Sequence, residues 1–122
     1  MQIVFHSAKL EAIANEDPNL PKSKLRKLIK KSKAECKPED VLATLDVLAA
    51  APSCADIPPF FHPHPLRGTL KGHFAIDLQA RGRGRHRIIF KPDHDNDPKF
   101  RIDNYKTITR IIIIDLCSDY HD

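Results

Sequence analysis

Histidine and arginine gather with acids and a tyrosine at three places in this chain: His64-Pro65-Leu66-Arg67-Gly68, Arg87, and Asp119-Tyr120-His121. These are the residue types that cleave RNA without a metal. One group takes the 2′-hydroxyl proton, one protonates the leaving 5′-oxygen, and fixed cations surround the pentavalent phosphate. The sequence has no dense acidic cluster at metal-ligand spacing, no phosphate-cradling glycine loop before a helix and no nucleophile-elbow serine. Asp93, His94, Asp95 and Asp97 lack the glycine and closing glutamate of a calcium loop and read as a polar turn, so neither metal nor cofactor is expected. Each piece also has a purely structural reading. Arg67 beside Gly68 is a turn arginine, Arg87 the solvent half of a strand, Tyr120 a core edge, and His121 a frayed penultimate residue.

Charge distribution favours a polyanionic partner. The formal net charge of +4 is mild, but residues 22–33 carry Lys22, Lys24, Arg26, Lys27, Lys30, Lys31 and Lys33 with no acid among them. Residues 66–91 carry Arg67, Lys71, Arg81, Arg83, Arg85, Arg87 and Lys91 against the single acid Asp77. Two such blocks suit RNA or DNA, although a solvated helix face and a loose hairpin would look the same.

The elements that must position these groups follow from periodicity. Residues 2–5 suit a short strand, and Ser7 suits the cap of a helix carrying Leu10 and Ile13. Residues 17–21 break that helix, and Pro21 suits the first position of a second one, with Leu25, Leu28, Ile29 and Cys36 along its stripe. Lys37-Pro38-Glu39-Asp40 starts a third, with Val41, Leu42, Leu45 and Leu48 inward and Pro52 ending it. The prolines of residues 52–65 predict an extended connector without regular hydrogen bonding. The period then changes from helical to alternating: Phe74, Ile76, Leu78 and Ala80 against His73, Ala75, Asp77 and Gln79. Gly82 and Gly84 turn the chain within an arginine-rich tip, and residues 86–91 return. Residues 100–105 suit a short edge strand. Residues 110–117, with four consecutive isoleucines, suit a central strand covered on both faces. The expectation is one α+β domain over residues 1–122, with two or three N-terminal helices on a mainly antiparallel sheet of four to five strands.

At 122 residues and 41% hydrophobic composition the chain can form one ordinary core. No apolar run approaches the roughly 18 residues of a membrane helix, and Met1–Phe5 lacks the features of a secretory signal, which predicts a cytoplasmic protein without membrane partners. Cys36, Cys54 and Cys117 are odd in number and far apart, which predicts reduced thiols packed as small apolar groups.

The order of the three chemical pieces resembles a known family. His64-Pro-Leu-Arg-Gly, Gly72-His-Phe-Ala-Ile, Arg87-Ile-Ile-Phe and a closing Asp119-Tyr-His resemble the HigB toxins of the RelE/ParE superfamily, whose pattern reads His-Pro-Leu-Lys-Gly, a Gly-aromatic strand, Trp-Arg-Ile-Thr-Phe and Asp-Tyr-His. The resemblance covers about half the chain. It implies a RelE-like fold and a ribosome-dependent mRNA endonuclease. Its implied partners are the ribosome, mRNA, a helix-turn-helix antitoxin of the HigA type and, through that antitoxin, operator DNA. It implies that His64, Arg67, Arg87, Asp119, Tyr120 and His121 occupy the family's active-site positions. On that mapping His121 moves protons, Asp119 orients it, Tyr120 stacks on a base or shares a proton, and Arg67 and Arg87 hold phosphate, while Lys71, Arg81, Arg83 and Arg85 contact RNA backbone. Arg67 stands where the family commonly has lysine; a guanidinium does not shed its proton, so base work falls to His121 or His64. His86 replaces the tryptophan before Arg87, and Asp122 follows the closing motif. The competing readings are a non-catalytic RNA- or DNA-binding member of the same fold and a relative acting on a protein target. Gyrase-directed relatives of the latter kind lack the Asp-Tyr-His ending.

Overall fold

A computed structural model describes residues 1–17, 23–32, 36–78 and 86–119. These residues form three α-helices and a five-stranded mixed sheet, an α+β arrangement. Pro21, the arginine tip with Gly82 and Gly84, and the strand extension at Gln79 and Ala80 lie outside the described residues.

Strand β1 (Gln2–Phe5) leads into α1 (Ala8–Ala14). Ser7 sits in extended backbone before α1, and its hydroxyl accepts from the Leu10 N–H at 3.1 Å, satisfying one donor that the helix leaves open. Helix α2 spans Lys24–Ser32 and buries Leu25 and Ile29. Cys36 lies beyond it rather than on its stripe, but packs against the same core. Helix α3 (Pro38–Ala50) starts as its sequence suggests. Pro38 occupies the first turn, where no N–H is needed, and the Lys37 N–H donates to Asp40 Oδ2 at 3.0 Å.

The sheet order is β1-β5-β4-β3-β2, with β2 at His64–Pro65, β3 at Phe74–Asp77, β4 at Arg87–Pro92 and β5 at Arg110–Ser118. Strand β1 runs parallel to β5; the other three pairings are antiparallel. Leu25, Ile29, Val41, Leu45 and Leu48 from the helices meet Phe74, Ile76, Ile88, Phe90, Ile111 and Ile113 in one core. Each of these side chains contributes about 1.5–3 kcal/mol of burial.

The opposite sheet face carries a smaller cluster of Leu66, Ala75 and Ile89, joined by Leu70 and Ile114. The turn holding Leu66 and Leu70 reaches that face because Gly68 (φ 63) and Gly72 (φ 91) adopt left-handed backbone, which a side chain would strain. The glycines of the His-Pro-Leu-Arg-Gly and Gly-His-Phe segments therefore shape this turn.

Three expectations need correction. Residues 52–65 are not an unpaired extended connector: they form 3₁₀ turns at Cys54–Asp56 and Pro59–Phe61, then the short β2 paired to β3. Fixed proline φ suits a 3₁₀ turn as well as an extended chain, and burial of Cys54 and Ile57 selects the turns. Residues 100–105 form no strand. Local hydrogen bonds, including Asn104 N–H to Arg101 O and the Thr107 hydroxyl to Arg101 O, close the segment on itself instead. Strand β5 is interior but not equally covered. Ile111 and Ile113 are fully buried while Ile112 and Ile114 are half-buried, because the core helices lie on one face and, among the described residues, the Leu66–Leu70 turn covers part of the other.

Cys54 gives a pH-dependent consequence. Burial pushes its thiol up to about 12, against a smaller opposing pull from the N-terminal ammonium. In the unfolded chain it ionises near its ordinary value, so the stability it lends is intact below about pH 9 and drains away between about 9 and 12. Cys54→Ala is expected to gain on the parent chain by about 1.4 kcal/mol per pH unit from pH 9 to 11. Urea melts at stepped pH read this directly, and parallel curves for the two proteins would refute it.

Candidate functional site on the open sheet face

Directly opposed residues of an antiparallel pair share a face, and neighbours along a strand alternate. The register pairs His64 with Ala75 and Asp77 with Arg87. Ala75 and Ile89 belong to the small cluster, so His64, Asp77 and Arg87 lie with them on the face turned away from the core helices. On the next strand, Arg87 pairs with Ser118, which directly precedes Asp119.

Where β3 ends and β4 begins, this face carries an ion pair: Arg87 Nε stands 3.2 Å from Asp77 Oδ1, with the side chains only 13% and 18% exposed. The two atoms meet as charges rather than as an aligned hydrogen bond. The other carboxylate oxygen, Asp77 Oδ2, lies 3.8 Å from Nδ1 of His62. His62 has left-handed backbone (φ 50, ψ 55) at the end of the Pro59–Phe61 turn, where its N–H donates to Pro59 O at 2.9 Å. Its ring stacks on that of His64, with centroids 4.5 Å apart and planes 26° from parallel.

His64 Nδ1 is 2.8 Å from the His62 carbonyl oxygen. A carbonyl only accepts, so Nδ1 carries the hydrogen, and in the neutral ring Nε2 holds the lone pair. The face thus presents an imidazole of fixed tautomer, a second imidazole stacked on it, and a carboxylate–guanidinium pair beneath.

The structure brings His64 and Arg87 onto this face together. Arg67 is exposed, just ahead of the 3₁₀ turn Gly68–Leu70, and Lys71 is exposed just after it. Asp119 is exposed at the end of β5. Tyr120, His121, Arg81, Arg83 and Arg85 lie outside the described residues.

Sequence reasoning missed His62 and Asp77. Two signals were available: Asp77 is the single acid in the basic stretch 66–91, and His62-x-His64 has the spacing of residues on one side of an extended chain.

A thiol pair lies at the far end of β5, against the core. The Cys117 sulfur is 3.1 Å from the Ser32 hydroxyl, and His86 Nε2 is 2.9 Å from Ser32 O. Hydrogen bonding from the Cys36 thiol, and secondarily from Ser32, outweighs burial and draws Cys117 down to about 7. The same contact raises Cys36 above the usual thiol range.

His94 is spoken for structurally. Its Nδ1 donates to Asp97 Oδ2 at 3.1 Å, and its Nε2 accepts from the Thr109 and Arg110 N–H groups at 2.9 and 3.0 Å. Both ring nitrogens are thereby engaged, leaving no lone pair for a metal. Among the described residues no helix is long and apolar enough to cross a membrane.

No family model, curated protein or solved structure matches this chain.

Proposed function

We propose that this chain is a HigB-like toxin of RelE-like fold, a ribosome-dependent mRNA endonuclease of the cytoplasm. Its activity would be restrained by a helix-turn-helix antitoxin of the HigA type, which also links it to operator DNA. The observation that carries the reading is the meeting of two separated motif pieces, with the third beginning one residue after their register partner. His64 and Arg87 share a sheet face, and the register partner of Arg87, Ser118, leads straight into Asp119.

In this reading His64 Nε2 is a base, because its other nitrogen is fixed as a donor. Arg67 supplies an exposed cation for the scissile phosphate, and Arg87 keeps a guanidinium on the face with Asp77 as its counter-ion. Tyr120 and His121 complete the motif in sequence, and Lys71, Arg81, Arg83 and Arg85 add positive charge for RNA backbone. Attack by the 2′-hydroxyl then needs only proton transfer and charge stabilisation.

The test is controlled expression with primer extension on a translated message. Wild type is expected to arrest growth and to cut at codon positions only when the message is translated. His121→Ala and His64→Ala are each expected to cut about 10²–10⁴-fold more slowly. Arrest with intact messages would refute the endonuclease. Arrest that survives both histidine changes but disappears when Arg81, Arg83 and Arg85 are neutralised would favour the non-catalytic nucleic-acid-binding alternative.

A further inference from the structure

We infer that His62 and His64 act as a two-imidazole acid–base pair on a single RNA phosphodiester, with His64 as the base and His62 as the acid. This rests on the ribonuclease reading above and adds a proton donor that lies outside the motif.

Three observations single out His62. Its side chain is 65% exposed, so packing does not account for its place. Its backbone is left-handed, a conformation that a non-glycine residue holds at a cost and that recurs at functional sites. Its ring lies 4.5 Å from that of His64, so the two imidazoles can reach two oxygens of one phosphate.

The surroundings give each ring a different task. His64 spends its Nδ1 hydrogen on a carbonyl and offers an Nε2 lone pair. His62 turns Nδ1 toward Asp77, so the cation formed by a proton on Nε2 has a carboxylate facing it at 3.8 Å. Arg87, on the other oxygen of Asp77, holds that carboxylate in place.

The step balances within the pair. His64 Nε2 takes the proton of the 2′-hydroxyl as the O2′–P bond forms. The P–O5′ bond breaks, and His62 Nε2–H delivers its proton to the departing 5′-oxygen. The products are a 2′,3′-cyclic phosphate and a 5′-hydroxyl, and exchange with water restores both rings.

A leaving group that needs no proton separates the acid from a structural role. The substrate is a message carrying sulfur in place of the bridging 5′-oxygen at the mapped cut site, presented on translating ribosomes. His62→Asn is the variant, since asparagine tolerates left-handed backbone. It is expected to cut the ordinary message about 10²-fold or more slowly, and the sulfur-bridged message near the wild-type rate. His64→Ala is expected to stay slow on both, because a better leaving group does not replace a base. His62→Asn cutting the ordinary message normally, or slowed equally on both substrates, overturns the pair while leaving the endonuclease standing. A wild-type protein that cuts neither message overturns the ribonuclease reading, and the pair with it.

Discussion

Asp77→Ala is expected to lower the free energy of unfolding by about 3 kcal/mol, the low end for breaking a buried ion pair from one side. The reason is the charge left behind. The Arg87 side chain is 13% exposed and stands 3.2 Å from the carboxylate. Without it, a guanidinium loses its counter-ion in a place where water answers only part of the charge. Arg87→Ala leaves Asp77 in the same position and is expected to cost a similar amount. The double variant removes both desolvation penalties together with the attraction, so its loss is expected to fall well short of the sum. A double-mutant cycle by urea denaturation reads the coupling, which is expected at about 1–3 kcal/mol. Additive losses would mean that the two charges do not depend on one another. Arg87→Lys should recover little, because a point charge on a flexible stem does not take the place of a planar guanidinium held among neighbours.

This pair also marks where sequence reading stops. The starts of α1 and α3 were legible because their signals are local: Ser7 precedes Leu10 by three residues, and Lys37 precedes Asp40 by three. The change from helical to alternating period announced β3, and alternation correctly placed Phe74 and Ile76 inward. Asp77 and Arg87 are ten positions apart and meet only through strand register, which no local pattern encodes. His62 was hidden for a different reason. The prolines around it fit an extended connector and a 3₁₀ turn equally well, and only the turn ending in left-handed backbone lays its ring on His64. The four isoleucines of β5 announced a buried strand. How much each face is covered depends on the distant Leu66–Leu70 turn, so Ile112 and Ile114 could not be separated from Ile111 and Ile113 by composition.

The same dependence on distant partners makes His94 the second sensitive position. It stacks on Phe100 with ring centroids 5.1 Å apart and caps two N–H groups at the start of β5, those of Thr109 and Arg110. Its Nδ1 hydrogen goes to Asp97, whose carboxyl lies below its usual range chiefly through the Lys99 N–H and secondarily through His94. One ring thus ties the β4–β5 loop to the strand that crosses the sheet. His94→Ala is expected to cost about 3 kcal/mol, from two backbone donors left without an acceptor and from lost ring packing. His94→Phe keeps a ring against Phe100 but accepts nothing. If hydrogen bonding outweighs stacking, it should still cost about 2 kcal/mol, roughly 1 for each donor. Hydrogen exchange identifies the bonds themselves. The Thr109 and Arg110 amides are expected to lose protection in both variants, while those of Ile111 and Ile113, embedded in the sheet, keep theirs. A phenylalanine variant as stable as the parent, with both amides still protected, would assign the anchoring to ring packing and remove the imidazole nitrogens from the account.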